Sequence, residues 1–407
     1  MKKQISALFL SNLAILFIGF GVFPLLPVYA GRFGATPTMI GVYLALTYIA
    51  ISFGTMLPGW LSGRISQKTL FVSAGLLGVP AVSLLGYAKE FWQVVILTGI
   101  VWFTGGVGIA LVSVFTGRLA NKDERGKWFG LIALTTPLGA VGGGSLAAWL
   151  VETYGYQVMF TALGPIYAVW PLVGLLLIKE PRPAQTAQTA PSRAGEAFPV
   201  RRDRRFSLLL LSALLVAMTI SISRLGLSLS MKAALFSPAA IARTNVVGGL
   251  VTIPFVIGFG LLSDHLGRRL FLVIGYLLAA LSTLLLVGAS QLWHFWIVSA
   301  SVLVARSISA SLASALATDI LPPQALGKAL PRLNSLNWVA GILGFAASGY
   351  VIEKLGQNSL YLAATIFALA AAAIIGFMTR GDERSVTESK LPHGPSLSPS
   401  PKGSGAD

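Results

Sequence analysis

The sequence predicts an all-α membrane protein, with twelve transmembrane helices in two pseudo-symmetric six-helix bundles, on three observations. The first is composition. Of 407 residues, 55% are hydrophobic and only 11% are charged, with mean hydropathy +0.77, whereas a soluble domain carries about 25% charge to keep its apolar mass in water. The second is a recurrence of continuous apolar runs, each close to the length of about 20 helical residues that crosses about 30 Å of hydrocarbon. The third is an internal repeat at one fixed offset. The chain has no Cys, which excludes a disulfide-stapled fold and thiol or Cys-ligated metal chemistry.

In chain order the expected spans are 6–29, 40–61, 70–87, 92–114, 128–151 and 158–178, then 207–230, 241–262, 270–289, 293–316, 335–352 and 360–378. Their apolar residues run continuously rather than alternating, which favours helices over a barrel. The first follows Met-Lys-Lys, as a signal peptide would. Its apolar run exceeds a signal core of about 7–15 residues, so it reads as a retained span. The fifth is weaker in hydropathy because it is rich in Gly. Segment 179–206 is rich in Pro, Ala, Gln and Arg and is expected to be a mobile linker, and 379–407 a disordered tail. The expected organisation is therefore a bundle at 1–178, a linker at 179–206, a bundle at 207–378 and a tail at 379–407.

Charge placement sets the expected orientation, because Lys and Arg gather on the cytoplasmic side. Of the 30 Lys and Arg, only Arg32, Lys89, Lys232, Arg243 and Lys354 fall on the opposite side, and only Arg224 and Arg306 fall inside expected spans. Both termini are then cytoplasmic, and the plasma (inner) membrane is the expected location. The same bias accounts for most of the formal net charge of +16 without nucleic-acid binding.

The repeat joins the halves at an offset of 201: Gly59-Trp-Leu-Ser62 recurs as Gly260-Leu-Leu-Ser263, Pro37 as Pro238, Trp92 as Trp293, Glu152 as Glu353 and Gly155 as Gly356. Parallel repeats of this kind put a site at mid-membrane between halves that rock around it. Gly260-Leu-Leu-Ser-Asp264-His-Leu-Gly267-Arg268-Arg269 resembles the helix 2–3 loop signature of the major facilitator superfamily, although it lies here between the eighth and ninth spans. Its first-half counterpart, Gly59-Trp-Leu-Ser-Gly63-Arg64-Ile-Ser66-Gln67-Lys68, has Gly63 at the acidic position and Ser66 at the turn glycine. Pro24-Leu-Leu-Pro27 ends the first span and Asp319-Ile-Leu-Pro-Pro the tenth. Gly139-Ala-Val-Gly-Gly143-Gly144 in the fifth is similar to the family's antiporter-associated glycine motif, with Ala140 in place of its proline.

The resemblance implies a secondary transporter and assigns roles. Asp264 is expected to accept backbone N–H groups at a neighbouring helix N-terminus and to gate the cytoplasmic side. Gly59, Arg64 and Lys68 of the first-half copy and Gly260, Gly267, Arg268 and Arg269 of the second belong to the same gating motif, in which Arg268 and Arg269 either hold the loop or follow charge topology. Gly139, Gly143 and Gly144 allow close helix approach, either as a pliant seam between the halves or simply as tight packing, and Pro137 softens the same helix. Arg306 corresponds through the repeat to Gly105, where the family typically carries an arginine. A charge at such depth is a candidate for substrate binding or coupling, or else a structural arginine satisfied by helix carbonyls. Arg224 is expected near the outer end of the seventh span, facing the cavity or snorkelling to the interface. Asn12, Tyr48, Asn245, Asn334, Asn337 and Trp338 are further cavity candidates, with interhelical hydrogen bonding as their other reading. Asp319 is an acid at an inner helix end.

No Asp, Glu or His falls at mid-depth in a span, so proton coupling would have to use an end carboxylate or the substrate. Neither a nucleophile–base pair nor a Walker-type loop is found, so the expectation is neither an enzyme nor an ATP-driven pump. The expected function is transport of a small molecule by alternating access, foremost as efflux of an amphipathic drug or metabolite. An organic-anion permease using Arg306 and Arg224 is the alternative, and a transporter-like membrane sensor a more distant one. Expected partners are the substrate, the bilayer and candidate coupling protons. No cofactor, metal or nucleic acid is expected, and the chain is expected to be a monomer.

Overall fold

Long apolar runs become long helices because each helix satisfies its own backbone hydrogen bonds wherever water is excluded. The computed structural model describes residues 2–120, 124–178 and 203–378, with side chains omitted at 259–266 and at a few other helical positions. Most of the expected linker and all of the expected tail lie outside the described residues. The linker's last residues are helical instead. Asp203 accepts from the N–H groups of Arg205 (2.8 Å) and Phe206 (3.0 Å) and caps a helix that starts at Arg204.

The helices are α1 (Lys2–Val22), α2 (Leu26–Ala30), α3 (Pro37–Trp60), α4 (Gln67–Leu84), α5 (Phe91–Leu119), α6 (Arg125–Ala133), α7 (Thr135–Leu177), α8 (Arg204–Ala233), α9 (Pro238–Leu266), α10 (Arg268–Val287), α11 (Leu292–Ile320), α12 (Pro323–Leu355) and α13 (Gln357–Phe377). Among the described residues, ten helical stretches are long and apolar enough to cross a membrane. One of them, Lys127–Leu177, holds the fifth and sixth expected spans, which meet at Gly155 (φ 79°, ψ 179°). The eighth expected span lies on α9, a helix of 29 residues.

Breaks in the helices have local causes. Pro24 and Pro27 interrupt the first span, where a short 3₁₀ turn, Phe23–Leu25, separates α1 from α2. The fifth span is divided at Leu134, three residues before Pro137, whose ring nitrogen cannot donate to the preceding turn. Helix boundaries also repeat at the offset of 201. The starts of α3 and α9 are Pro37 and Pro238, and α5 and α11 run from Phe91 to Leu119 and from Leu292 to Ile320. Gly155 and Gly356 (φ 84°, ψ 164°) share a backbone conformation essentially confined to glycine.

Met1–Gly376 form one unit, and only residues 377 and 378 of the remainder are described. Within the unit α1 packs along α7, and α3 packs against α5. Two seams join the halves, α3 with α12 and α7 with α9. One end of the unit carries Arg64, Lys68, Arg268 and Asp319 and is called the basic end. Residues Pro37, Glu152, Arg243 and Glu353 lie at the opposite end.

Candidate functional site

The two seams run from the opposite end to about mid-depth. At the far end, Arg243 on α9 pairs with Glu152 on α7, and the Thr38 N–H donates to Glu353 at 3.1 Å. Deeper in, small residues allow backbones to meet. A Cβ added at Gly349 would lie 3.0 Å from Gly41 Cα, and one at Gly144 would lie 3.2 Å from the Ala242 carbonyl. Gly139 and Gly143 act within the first half, because an added Cβ would meet Leu16 backbone carbon at 2.9 Å and Gly21 Cα at 3.2 Å respectively. On α7, Gly139 and Gly143 thus seat α1, and Gly144 meets the other half. The Pro137 carbonyl lies 3.0 Å from where a Gly249 Cβ would stand.

From mid-depth the halves enclose adjoining cavities that extend toward the basic end. One, about 610 Å³, reaches from Phe20 and Arg306 to Arg268 and Ala315. A second, about 270 Å³, runs from Tyr48 and Arg224 past Asn337 and Asn334 to Ser314 and Leu333. A third, about 100 Å³, lies against the first half and is lined by Ile15, Phe20, Phe23, Trp102 and Tyr167. Arg306 lines all three.

The two arginines anchor this region. Arg224 donates from Nη1 to Tyr48 Oη at 2.8 Å across the halves, and its guanidinium carbon lies 3.5 Å from the Phe23 ring centre. Arg306 stands over Phe20 with 5.3 Å between guanidinium carbon and ring centre. Each cation thus faces an aromatic ring from the opposite half, an arrangement worth about 0.5–2 kcal/mol. Neither has a carboxylate partner among the described residues. The helix of Arg224 continues to Ala233, which leaves the arginine nine residues short of the end, about 14 Å at 1.5 Å per residue, and the guanidinium points between the halves.

Other expected residues fall into distinct places. Tyr48, Asn334, Asn337 and Trp338 line the second cavity, and the Trp338 ring meets Tyr48 edge-on at 5.8 Å. Asn245 donates to the Phe20 carbonyl at 2.6 Å, a bond across the halves that fixes the backbone beneath the ring facing Arg306. Asn12 is buried between helices, donating to Thr135 Oγ1 at 2.6 Å, and lies off the described cavity linings. Arg268 pairs with Asp319 at 2.9 Å, Arg269 donates to the Ile375 carbonyl at 2.7 Å, and Lys68 donates to the Leu175 carbonyl at 2.9 Å. Each of these bonds lies within one half. Gly63 and Gly267 both adopt positive φ, 83° and 93°, and Ser66 accepts from the Thr69 N–H at 3.2 Å, capping α4. Gly59 has open space beside it, and Arg64 is exposed. The side chain of Asp264 and the surroundings of Gly260 lie outside the description.

Sequence reasoning missed Phe20, Phe23, Trp102 and Tyr167, because an aromatic in an apolar span looks like any lipid-facing or core residue. The offset held a usable signal: Phe23 is the repeat counterpart of Arg224, and Gly105 of Arg306.

A family model described as "Major Facilitator Superfamily" matches residues 8–253 and, in a second match, 209–403. The chain is 21% identical over 378 residues to "Multidrug resistance protein MdtG" of Proteus mirabilis, covering 88% of this chain and 92% of that one. It is 24% identical over 208 residues to "Multidrug resistance protein MdtH" of Salmonella choleraesuis, which spans 49% of each chain. Among solved structures, the nucleoside transporter NupG superposes with a TM-score of 0.75 at 15% identity, covering 92% of this chain and 98% of that one. A bacterial homolog of the human lysosomal transporter Spinster superposes with a TM-score of 0.71 at 14% identity, covering 91% and 95%. Likeness at these identities speaks for the fold.

Proposed function

The chain belongs to the major facilitator superfamily of membrane transporters, and on that premise we propose that it exports an amphipathic small molecule by alternating access. The observation that carries this reading is the cavity system between the halves, closed toward one end by two seams and extending to the basic end. Positive charge collects on the cytoplasmic face of membrane proteins. On this reading the basic end is cytoplasmic, as are both termini, in an inner membrane, and a cavity that extends to that end is the inward-open arrangement. The outward direction draws support from the multidrug-resistance names of MdtG and MdtH and from the Gly139–Gly144 stretch. The working unit is a monomer with the bilayer and one substrate as its partners. Should protons be exchanged, Asp319, Glu152 and Glu353 at the helix ends are carboxylates that can carry them. Asp264 is assigned to the cytoplasmic gate, and undiminished transport by Asp264→Asn would remove it from that role.

Because the chain has no Cys, a single introduced pair tests the cycle. Glu152→Cys with Arg243→Cys replaces the ion pair at the opposite end by two thiols that a short bis-methanethiosulfonate crosslinker can join, holding α7 to α9 across the reach of the original pair. Crosslinking should abolish substrate flux in proteoliposomes and reductant should restore it. Full crosslinking with unchanged flux would refute alternating access at this seam.

A further inference from the structure

The two walls of the central site differ in charge, and that difference selects a substrate. Arg224 and Arg306 line the same cavities on the second-half side, and each repels the other. No Asp or Glu lines any of the described cavities. The only other charged residue along them, Arg268, is paired with Asp319. An arginine stays protonated in proteins, so two positive charges stand in a partly water-excluded space with aromatic faces and one phenol hydroxyl as neighbours. Each guanidinium carries five N–H donors, and a contact with an aromatic ring does not use them up. Tyr48 takes one of those on Arg224, and Arg306 donates no hydrogen bond among the described residues. The facing wall of Ile15, Leu16, Val101 and Trp102 is apolar.

We propose that the substrate is an amphipathic organic anion, its carboxylate or sulfonate held by the N–H donors of Arg306 and Arg224 and its apolar body laid against Phe20, Phe23 and Trp102. The charge assignment rests on the transport reading only for the movement of the bound molecule. An organic cation of equal size meets two like charges and no carboxylate, and is disfavoured by the same cavity. The anion also offers Arg224 a stronger acceptor than the Tyr48 phenol, so binding draws that guanidinium off a bond that joins the halves.

Two probes of matched shape and opposite charge test this: naphthalenesulfonate and naphthylmethylammonium, measured by equilibrium dialysis against the purified full-length protein in neutral detergent. The anion should bind at least about 10-fold more tightly than the cation. Arg306→Gln and Arg224→Gln should each weaken anion binding by about 10-fold without weakening cation binding, while Arg306→Lys keeps most of it. Equal or preferential binding of the ammonium, absence of sulfonate binding, or undiminished sulfonate affinity in Arg306→Gln would overturn the proposal. If a glutamine variant fails to fold, the ratio on the unaltered chain still decides. Flux separates this result from the transport reading. Anion preference with flux that ignores the 152–243 crosslink sinks alternating access alone, and crosslink-sensitive flux without anion preference sinks the charge assignment alone.

Discussion

The two seams between the halves are related by the repeat, yet a pair of repeat-related positions that is Gly and Gly in one is Ala and Ala in the other. Gly41 meets Gly349 where α3 crosses α12, and the counterparts of these residues, Ala242 and Ala148, lie on α9 and α7. Both alanines are buried. The glycine pair brings backbones closer, and its seam carries the Tyr48 ring packed on Gly341, where the other seam sets Gly249 against Ala140. The cavity walls diverge in the same manner, with Phe23 opposite its own counterpart Arg224. Duplication has kept helix ends and turns in register while the mid-depth residues have taken different chemistry. The scaffold can be symmetric because rocking requires similar bundles, whereas a substrate with one charged end requires unlike walls.

Making the seams alike is the most disruptive way to break this comparison. Gly349→Ala imports the residue found in the other seam, but its Cβ would stand 3.0 Å from both Pro37 backbone carbon and Gly41 Cα. Neither backbone atom can swing aside, and overpacking of this kind costs about 1–3 kcal/mol. We expect transport to fall by roughly 10-fold through loss of the state closed at that end, measured as initial flux at equal protein in the membrane. Gly99→Ala, which meets open space, should transport normally.

Changing the turns should reveal likeness instead. Gly155→Ala and Gly356→Ala each force an L-residue into glycine's backbone region at a cost of about 1–3 kcal/mol, and thermal unfolding should show similar losses for the two. A loss confined to one would mean that the halves bear strain unequally. The smallest expected effect concerns the paired caps of α5 and α11. Gln93 accepts from the Lys89 N–H at 2.7 Å, and its counterpart His294 accepts through Nδ1 from the Ser290 N–H at 3.1 Å. His294→Gln should change stability by less than about 0.5 kcal/mol, and His294→Ala should lower it by about 1 kcal/mol.

Much of the scaffold was legible in the sequence because bilayer-spanning helices advertise themselves by length and apolarity, and because Pro37, Gly155 and their counterparts kept one spacing. The site was legible only where a residue was out of place for its surroundings. Arg306 declared itself as a charge deep in a span. Arg224 was harder, since the expected span ended at 230 and the helix continues beyond it. Rotation about the helix axis, which decides whether a side chain meets lipid, core or cavity, leaves little trace in a span that is apolar all round. Hence Phe20 and Phe23 passed unnoticed, and Asn12 looked as much like a cavity residue as Asn337 does. The loop signature around Asp264 was conspicuous as a motif, though its side-chain contacts lie outside the description.

The central claim is that the halves exchange access between the two ends. Spin labels at the repeat-related positions Lys89 and Ser290 report the opposite end, and labels at Thr69 and Leu270 the basic end, in all cases at exposed residues. Electron–electron distance measurements in lipid nanodiscs, with and without naphthalenesulfonate, should give two populations. Wherever the distance at the opposite end lengthens, the one at the basic end should shorten. Distances that stay fixed at both ends, or that lengthen together, would contradict the account.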